Sequence, residues 1–418
     1  MGRSQGALVW DQFCQNRLAL GGLVLIVLLF LAAAAAPLIA NDKPLLLVDG
    51  GRWSSPALRH LFRPPTGQEL VLDRLFDLAL CWGVTALVLG APLFGLLRLL
   101  RLPVPARRRL LRLGGALLAL AWMVPFASYV SPLDKADWRG QVRELRQTGR
   151  GWALVALVPY DPIEQIAAAG PLSPPSRAHL MGTDSISRDV LARVVYGARV
   201  SLSVGFVGVA IYVFIGVVLG AIAGYYGRWI DVLLSRFIEI VMCFPTFLLI
   251  LTIVAFLEQR SILNIMVVIG LTSWTGVARL MRGEVLRQRE MDYVSAARAL
   301  GMSDARIIFR HVLPNSLAPV LVSATFGVAG AILIESGLSF LGLGVQMPTP
   351  SWGQLLNEAR DGVATYWWLT LWPGVMIFFS VTIYNLVGEG LRDALDPAVA
   401  HLTRWKAQLG EPLAEAQG

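Results

Sequence analysis

Eight apolar runs, each close to the length that crosses a bilayer, divide this chain: residues 20–40, 76–97, 110–130, 201–225, 237–257, 262–280, 315–341 and 367–387. A helix needs about 20 apolar residues to cross a hydrocarbon layer about 30 Å thick. In lipid only helices and closed barrels satisfy every backbone N–H and C=O, and runs this long and this continuous are helical. The expected fold is therefore all-α, a polytopic membrane helix bundle. Composition agrees, since 56% of residues are hydrophobic and 15% charged, far from the average of soluble domains.

The net charge of +8 does not point to nucleic acid. Nearly every basic residue is Arg, Lys occurs only at 43, 135 and 406, and many of the Arg sit between apolar runs, as positive-inside anchoring requires. Cys14, Cys81 and Cys243 are scattered without ligand spacing and read as small hydrophobes, not as a disulfide framework. His60, His179, His311 and His401 form no H-E-x-x-H pair. The three Lys follow Asp42, Asp134 and Trp405, so none belongs to a G-K-[ST] phosphate loop, and no G-x-S-x-G elbow occurs. No catalytic, cofactor or metal site is expected, and if ATP drives this protein another polypeptide must bind it.

Residues 1–19 carry Arg3 and Arg17 and read as a cytoplasmic N-terminus before the first span, 20–40. The AAAAAP tail of that run mimics a signal-cleavage site, but the run exceeds the usual apolar core of about 7–15 residues, so an uncleaved anchor is expected. Residues 41–75 follow as a periplasmic segment. Between the runs 76–97 and 110–130 lie Arg98, Arg101, Arg107, Arg108, Arg109 and Arg112 with no acid. Each Arg at mid-membrane costs about 2.5–3.5 kcal/mol, so the linker must leave the hydrocarbon. Residues 76–130 thus read as a transmembrane hairpin with an Arg-rich cytoplasmic tip, a peripheral anchor being the plainest role for it.

The most informative polar stretch interrupts the second half, at residues 279–310. Tyr293, Ala296, Ala297 and Leu300 recur at helical spacing and share a face, while Asp292, Ser295 and Arg298 share another. Gly301 should end this helix in the left-handed conformation. Ser303 should cap a second, with Ala305, Ile308, Phe309 and Val312 on one face and Pro314 as its stop. An amphipathic hairpin on the membrane surface would look much the same.

The A-A-x-x-x-G of Ala296, Ala297 and Gly301, followed twelve positions later by Leu313-Pro314, resembles the cytoplasmic coupling loop of permease subunits of bacterial ABC importers. Ser295 stands in place of that motif's leading Glu, and His311 in place of an Ile. HLMGTDSISRDVLARVVYGARVSL from His179 is similar to the G-T-D-x-x-G-R-D-V-L-x-R signature of the peptide-importer branch, with Ser187 where the pattern usually has Gly. ESGLSFLGLG from Glu335 resembles that family's E-x-x-L-S-F-L-G-L-G, and IANDKPLLL from Ile39 the YejE-like subgroup. The typical member has six spans, so the resemblance leaves residues 45–150 uncovered and implies a type I permease fold with an extra N-terminal transmembrane hairpin.

On that resemblance, 131–199 is periplasmic, 200–390 is the core permease domain with its coupling loop at 283–314, and 391–418, with Glu389, Arg392, Asp393 and Asp396 near its start, is a cytoplasmic tail. The run 201–225 crosses inward, 237–257 returns with Pro245 as a kink, 262–280 crosses inward, 315–341 outward, and 367–387 inward after an outer loop at 342–366. Gly205, Gly208, Gly216, Gly220, Gly327 and Gly330 would let spans approach closely and slide. Val190, Leu191, Val194 and Val195 form an apolar stripe suited to an interfacial helix opposite Arg188 and Arg199. Asp184, Arg188 and Asp189 read as packing groups or, in the sharper reading, as receivers of a delivery protein. Glu335, about 30 Å along its helix from Asn315, is expected near the water-reached outer surface as a helix-pairing carboxylate or gate residue.

The resemblance implies a permease moving peptides or peptide-like solutes across the bacterial inner membrane, with both termini cytoplasmic. It implies as partners a second homologous permease subunit, two ATP-binding subunits, a periplasmic solute-binding protein and the lipid bilayer, and no nucleic acid. Tyr293, Ala296, Ala297, Arg298, Leu300, Gly301, Arg310 and Pro314 would make the contact with the ATPase. An ion-gradient-driven secondary transporter is the alternative of another class, and would need ionisable or unwound sites at mid-membrane. A membrane-anchored receptor would leave the loop unexplained.

Overall fold

The computed structural model describes residues 5–58, 71–99, 104–128, 137–258 and 261–395. Three helices open the chain: α1 (Gln5–Gln15), α2 (Arg17–Ala34) and the single turn α3 (Ala36–Ile39). Asn16 starts α2 by accepting the Ala19 N–H at 3.1 Å. After the hairpin strands β1 (Leu46–Asp49) and β2 (Arg52–Ser54) come α4 (Val71–Leu99) and α5 (Val104–Ser128). α6 (Trp138–Thr148) and β3 (Gly151–Leu154) follow, and β3 joins β1 antiparallel in the order β2-β1-β3.

The remaining helices build the bundle. They are α7 (Val190–Tyr226), α8 (Arg228–Met242), α9 (Thr246–Phe256), α10 (Ile262–Thr272), α11 (Trp274–Arg289), α12 (Asp292–Ala299), α13 (Asp304–Ile307), α14 (Leu313–Phe340), α15 (Trp352–Glu358) and α16 (Trp367–Leu395). Among the described residues, five helices are long and apolar enough to span a membrane: Arg17–Ala34, Val190–Tyr226, Ile262–Arg289, Asp304–Phe340 and Trp367–Leu395. The pair α8 and α9 makes a sixth if its two halves, bent by 77°, count as one span. The bend falls at Pro245, whose missing N–H and ring clash break the hydrogen-bond ladder, so the expected kink is a sharp break.

Several expected boundaries move. α7 runs unbroken from its cap at Asp189, so Val190–Val195 form the first turns of a 37-residue helix and no separate interfacial helix exists there. Pro314 stops nothing: a wide π turn at Ile308–Val312 leads into α14, and Pro314 sits in that helix's first turn, where its missing N–H would have no partner anyway. The outer loop 342–366 contains α15, and Glu389, Arg392 and Asp393 lie on α16, while Asp396 falls outside the described residues. Arg109 and Arg112 are exposed on α5, which together with α4 takes up most of the expected Arg-rich linker; Arg101 lies outside the described residues.

α7 is the axis of the bundle. Its glycines Gly216, Gly220 and Gly224 face α11 so closely that a Cβ would come within 2.7, 2.8 and 2.9 Å of the Cβ atoms of Val277, Met281 and Val285. Close backbone approach of this kind is how helices associate where lipid removes the hydrophobic drive. It locks α7 against α11. Gly327 packs on the Tyr212 hydroxyl, whereas Gly330 has open space.

Candidate functional site

The expected coupling residues sit on a knob at one end of the bundle. α12 ends in the hydrogen-bond pattern of a left-handed cap: Gly301 has φ +72°, its N–H donates to Arg298 O at 2.9 Å, and the Met302 N–H donates to Ala297 O at 3.2 Å. Ser303 precedes α13, but its side chain makes no cap hydrogen bond. The knob buries Val294, Ala297, Ile307 and Val312 toward the bundle. It leaves Leu300 78% and Phe309 72% exposed, beside exposed Ala296, Arg310 and Pro314. The expected apolar faces are thus split by depth, because each short helix projects past the layer that could cover it.

Polar contacts fasten the base of the knob to the end of α7. The Tyr225 hydroxyl donates to Asp304 Oδ1 at 2.7 Å, and the Arg298 guanidinium lies 5.4 Å from the Tyr225 ring centre. Arg289 donates to the Gly224 and Tyr225 carbonyls at 3.4 and 3.1 Å. The Tyr293 hydroxyl donates to Gln288 Oε1 at 2.7 Å, and Asn315 Nδ2 donates to His311 O at 2.8 Å. Arg298, expected in contact with the ATPase, already has this ring partner, while Arg310 is exposed.

Asp184, Arg188 and Asp189 gather in a second cluster, buried and distant in sequence from the knob. Asp184 accepts from the Ile186 and Arg188 backbone N–H at 3.0 and 2.9 Å and from Arg188 Nε at 2.6 Å, and it also receives Arg193. Glu358 on α15 accepts from Arg188, Arg193 and Gln354 at 3.0, 2.7 and 2.6 Å. Burial and the nearby Arg193 pull the Arg188 guanidinium below its ordinary pKa, against Asp184 and Glu358. Asp189 caps α7 through the Ala192 N–H at 2.8 Å and pairs with His179 Nδ1 at 2.8 Å. Ser187 adopts φ +65°, the left-handed region that explains the glycine of the resembled pattern.

Glu335 is fully buried, not water-reached. Its oxygens accept from Ser201 Oγ at 3.2 Å and Ser339 Oγ at 2.8 Å, and Ser201 Oγ in turn accepts the Trp352 N–H at 3.3 Å. α15 folds back and covers this level of α14: Trp352 is 0% exposed and donates its indole N–H to Val194 O at 3.0 Å.

Sequence reasoning passed over Arg193, Glu358 and the partners of Arg199. Arg199 donates to the Ala33 and Ala34 carbonyls at 2.7 and 3.0 Å, finishing α2, and to Asp77 at 2.6 Å and Asp73 at 3.3 Å on α4. Rings of Phe76 and Tyr196 flank it. Charges of opposite sign stranded in apolar sequence, Asp77 and Arg199, were the available signal.

Two families match this sequence. Residues 216–401 match the binding-protein-dependent transport system inner membrane component, and residues 4–49 the N-terminal TM domain of oligopeptide transport permease C. The dipeptide transport system permease protein DppC of Alkalihalophilus pseudofirmus is 48% identical over 226 residues, 54% of this chain and 74% of that protein. The di/tripeptide transport system permease protein DppC of Pseudomonas aeruginosa is 42% identical over 247 residues, 58% of this chain and 81% of that one. The glutathione transport system permease protein GsiD of Pectobacterium atrosepticum is 38% identical over 241 residues, 58% of this chain and 80% of its own length.

Proposed function

The chain belongs to the family of ABC-importer permeases described as binding-protein-dependent transport system inner membrane components, and from that premise we propose that it moves peptides or peptide-like solutes across the bacterial inner membrane. Membership sets aside the ion-gradient-driven secondary transporter. Both termini lie in the cytoplasm. The partners are a second homologous permease subunit, two ATP-binding subunits and a periplasmic solute-binding protein. The knob formed by α12 and α13 docks in an ATP-binding subunit, with Leu300 and Phe309 as its apolar tip and Arg310 as a rim charge.

The observation that carries this reading is the combination of an exposed apolar tip and a tied base. Among the described residues nothing covers Leu300 and Phe309, yet Tyr225, Arg289 and Arg298 bind the knob to α7. A push on the tip therefore reaches α7, and through its glycine contacts α11, as rigid-body motion able to rock the spans between inward- and outward-open states. Asp184, Arg188, Asp189 and Glu335 serve this motion as internal ties near the opposite end, not as cargo contacts. The hairpin of α4 and α5 travels with α2 and α7 through Arg199.

Ala297→Glu or Gly301→Pro tests the reading. The expected outcome is loss of transport and of ATPase co-purification with membrane insertion intact. Retained co-purification in both variants contradicts it.

A further inference from the structure

Among the described residues, the small sheet between the first span and α7 has one covered face and one bare one. Leu47 and Ala153 point to α6, where Val142, Leu145 and Trp138 pack on them. The opposite face follows from the register: Val48 pairs with Trp53 on β2 and with Trp152 on β3, and Leu46 pairs with Leu154. Directly paired residues share a face, so both indoles stand over Val48. They meet edge to face at 6.2 Å and remain 69% and 49% exposed. Leu154 and Leu157, 54% and 85% exposed, extend the patch.

Chain geometry places this patch beside the membrane boundary. α2 has 18 residues, about 27 Å of helix, so it barely crosses the hydrocarbon and α3 lies at its edge. The Val158 N–H donates to Ile39 O at 2.9 Å, and the Asn41 N–H donates to Val158 O at 3.0 Å, which ties residue 158 to the end of α3. Leu157 is its neighbour, and Leu154 is four residues away, at most about 14 Å. The row Leu157, Leu154, Trp152, Trp53 thus starts beside the end of the first span. Exposed Arg150 precedes β3 and is joined to Gly50 through its carbonyl at 3.3 Å. Indoles prefer the headgroup layer and Arg favours anionic lipid phosphates.

We infer that the outer face of this sheet lies on the bilayer surface, with Trp53 and Trp152 among the headgroups, Leu154 and Leu157 toward the acyl chains, and Arg150 against lipid phosphates. The contact makes the segment after the first span a membrane-resting foot. It rests only on α2 being a span, not on which solute is carried.

The test uses full-length protein in nanodiscs of phosphatidylethanolamine and phosphatidylglycerol. Leu154→Cys is introduced into a Cys14→Ser, Cys81→Ala, Cys243→Ser background and labelled with a nitroxide, and Glu144→Cys on exposed α6 is the control. The expected result is that oxygen relaxes the label at 154 several-fold more effectively, relative to a nickel chelate, than the label at 144. Equal nickel access at both positions overturns the proposal. So does protection at 154 that arises only when the solute-binding protein is added, which would assign the patch to a protein partner. In the cysteine-containing wild type, brominated lipids should quench tryptophan fluorescence more than in Trp152→Phe, and equal quenching overturns the proposal without relying on the labelled variants.

Discussion

The two ends of the core bundle treat charge and apolar surface in opposite ways. Near the start of α7, Asp184, Arg188, Arg193 and Glu358 are sealed from solvent, each side chain 0–2% exposed, and Trp352 is buried beside them. At the far end of α7, charged residues stay at the surface and large apolar ones, Leu300 and Phe309, face outward. A sealed ionic cluster resists change, since removing one member strands a buried charge. An uncovered apolar tip on a tied base is adapted to being covered by something else. The contrast teaches that this protein fastens itself at one end and is handled at the other.

Arg193→Met should break that contrast hardest. It leaves Asp184 and Glu358 short of a cation in a dry site, so a loss of about 3–5 kcal/mol is expected, visible as a large fall in the thermal unfolding midpoint in detergent. Asp77→Asn should cost less, about 1–3 kcal/mol, because Arg199 keeps the Ala33 and Ala34 carbonyls and Asp73. Detachment of the hairpin should follow, detected as earlier proteolysis of residues 71–128 than of the core. Ser187→Gly should stabilise the sealed end by about 1 kcal/mol, since φ +65° is costly for a side chain with a Cβ. Leu300→Glu should change stability by no more than about 0.5 kcal/mol, the norm for an exposed site, while abolishing transport. A large stability loss there would mean that the tip is internally packed.

Local chemistry is where the sequence was most readable. The cap at Gly301 and the role of glycine in packing α7 follow from backbone preferences that a few neighbouring residues decide. What escaped was set by partners remote in sequence. Glu335 is dry because α15 returns over it, and Arg199 finishes α2 from 165 residues away. A proline inside a helix ends it, which makes Pro314 look like a stop, whereas the π turn before it makes it part of a beginning. The split of the knob into a buried base and a bare tip is likewise a matter of depth, which periodicity does not encode.

The most direct measurement is disulfide or bifunctional crosslinking from Leu300→Cys in native membranes that contain the complete transporter. The account predicts a crosslink to a nucleotide-hydrolysing subunit, none from a cysteine placed at Leu157, and protection of residue 300 from reagents confined to the periplasm. Labelling of residue 300 from the periplasmic side, or a crosslink map in which it reaches no such subunit, would contradict it.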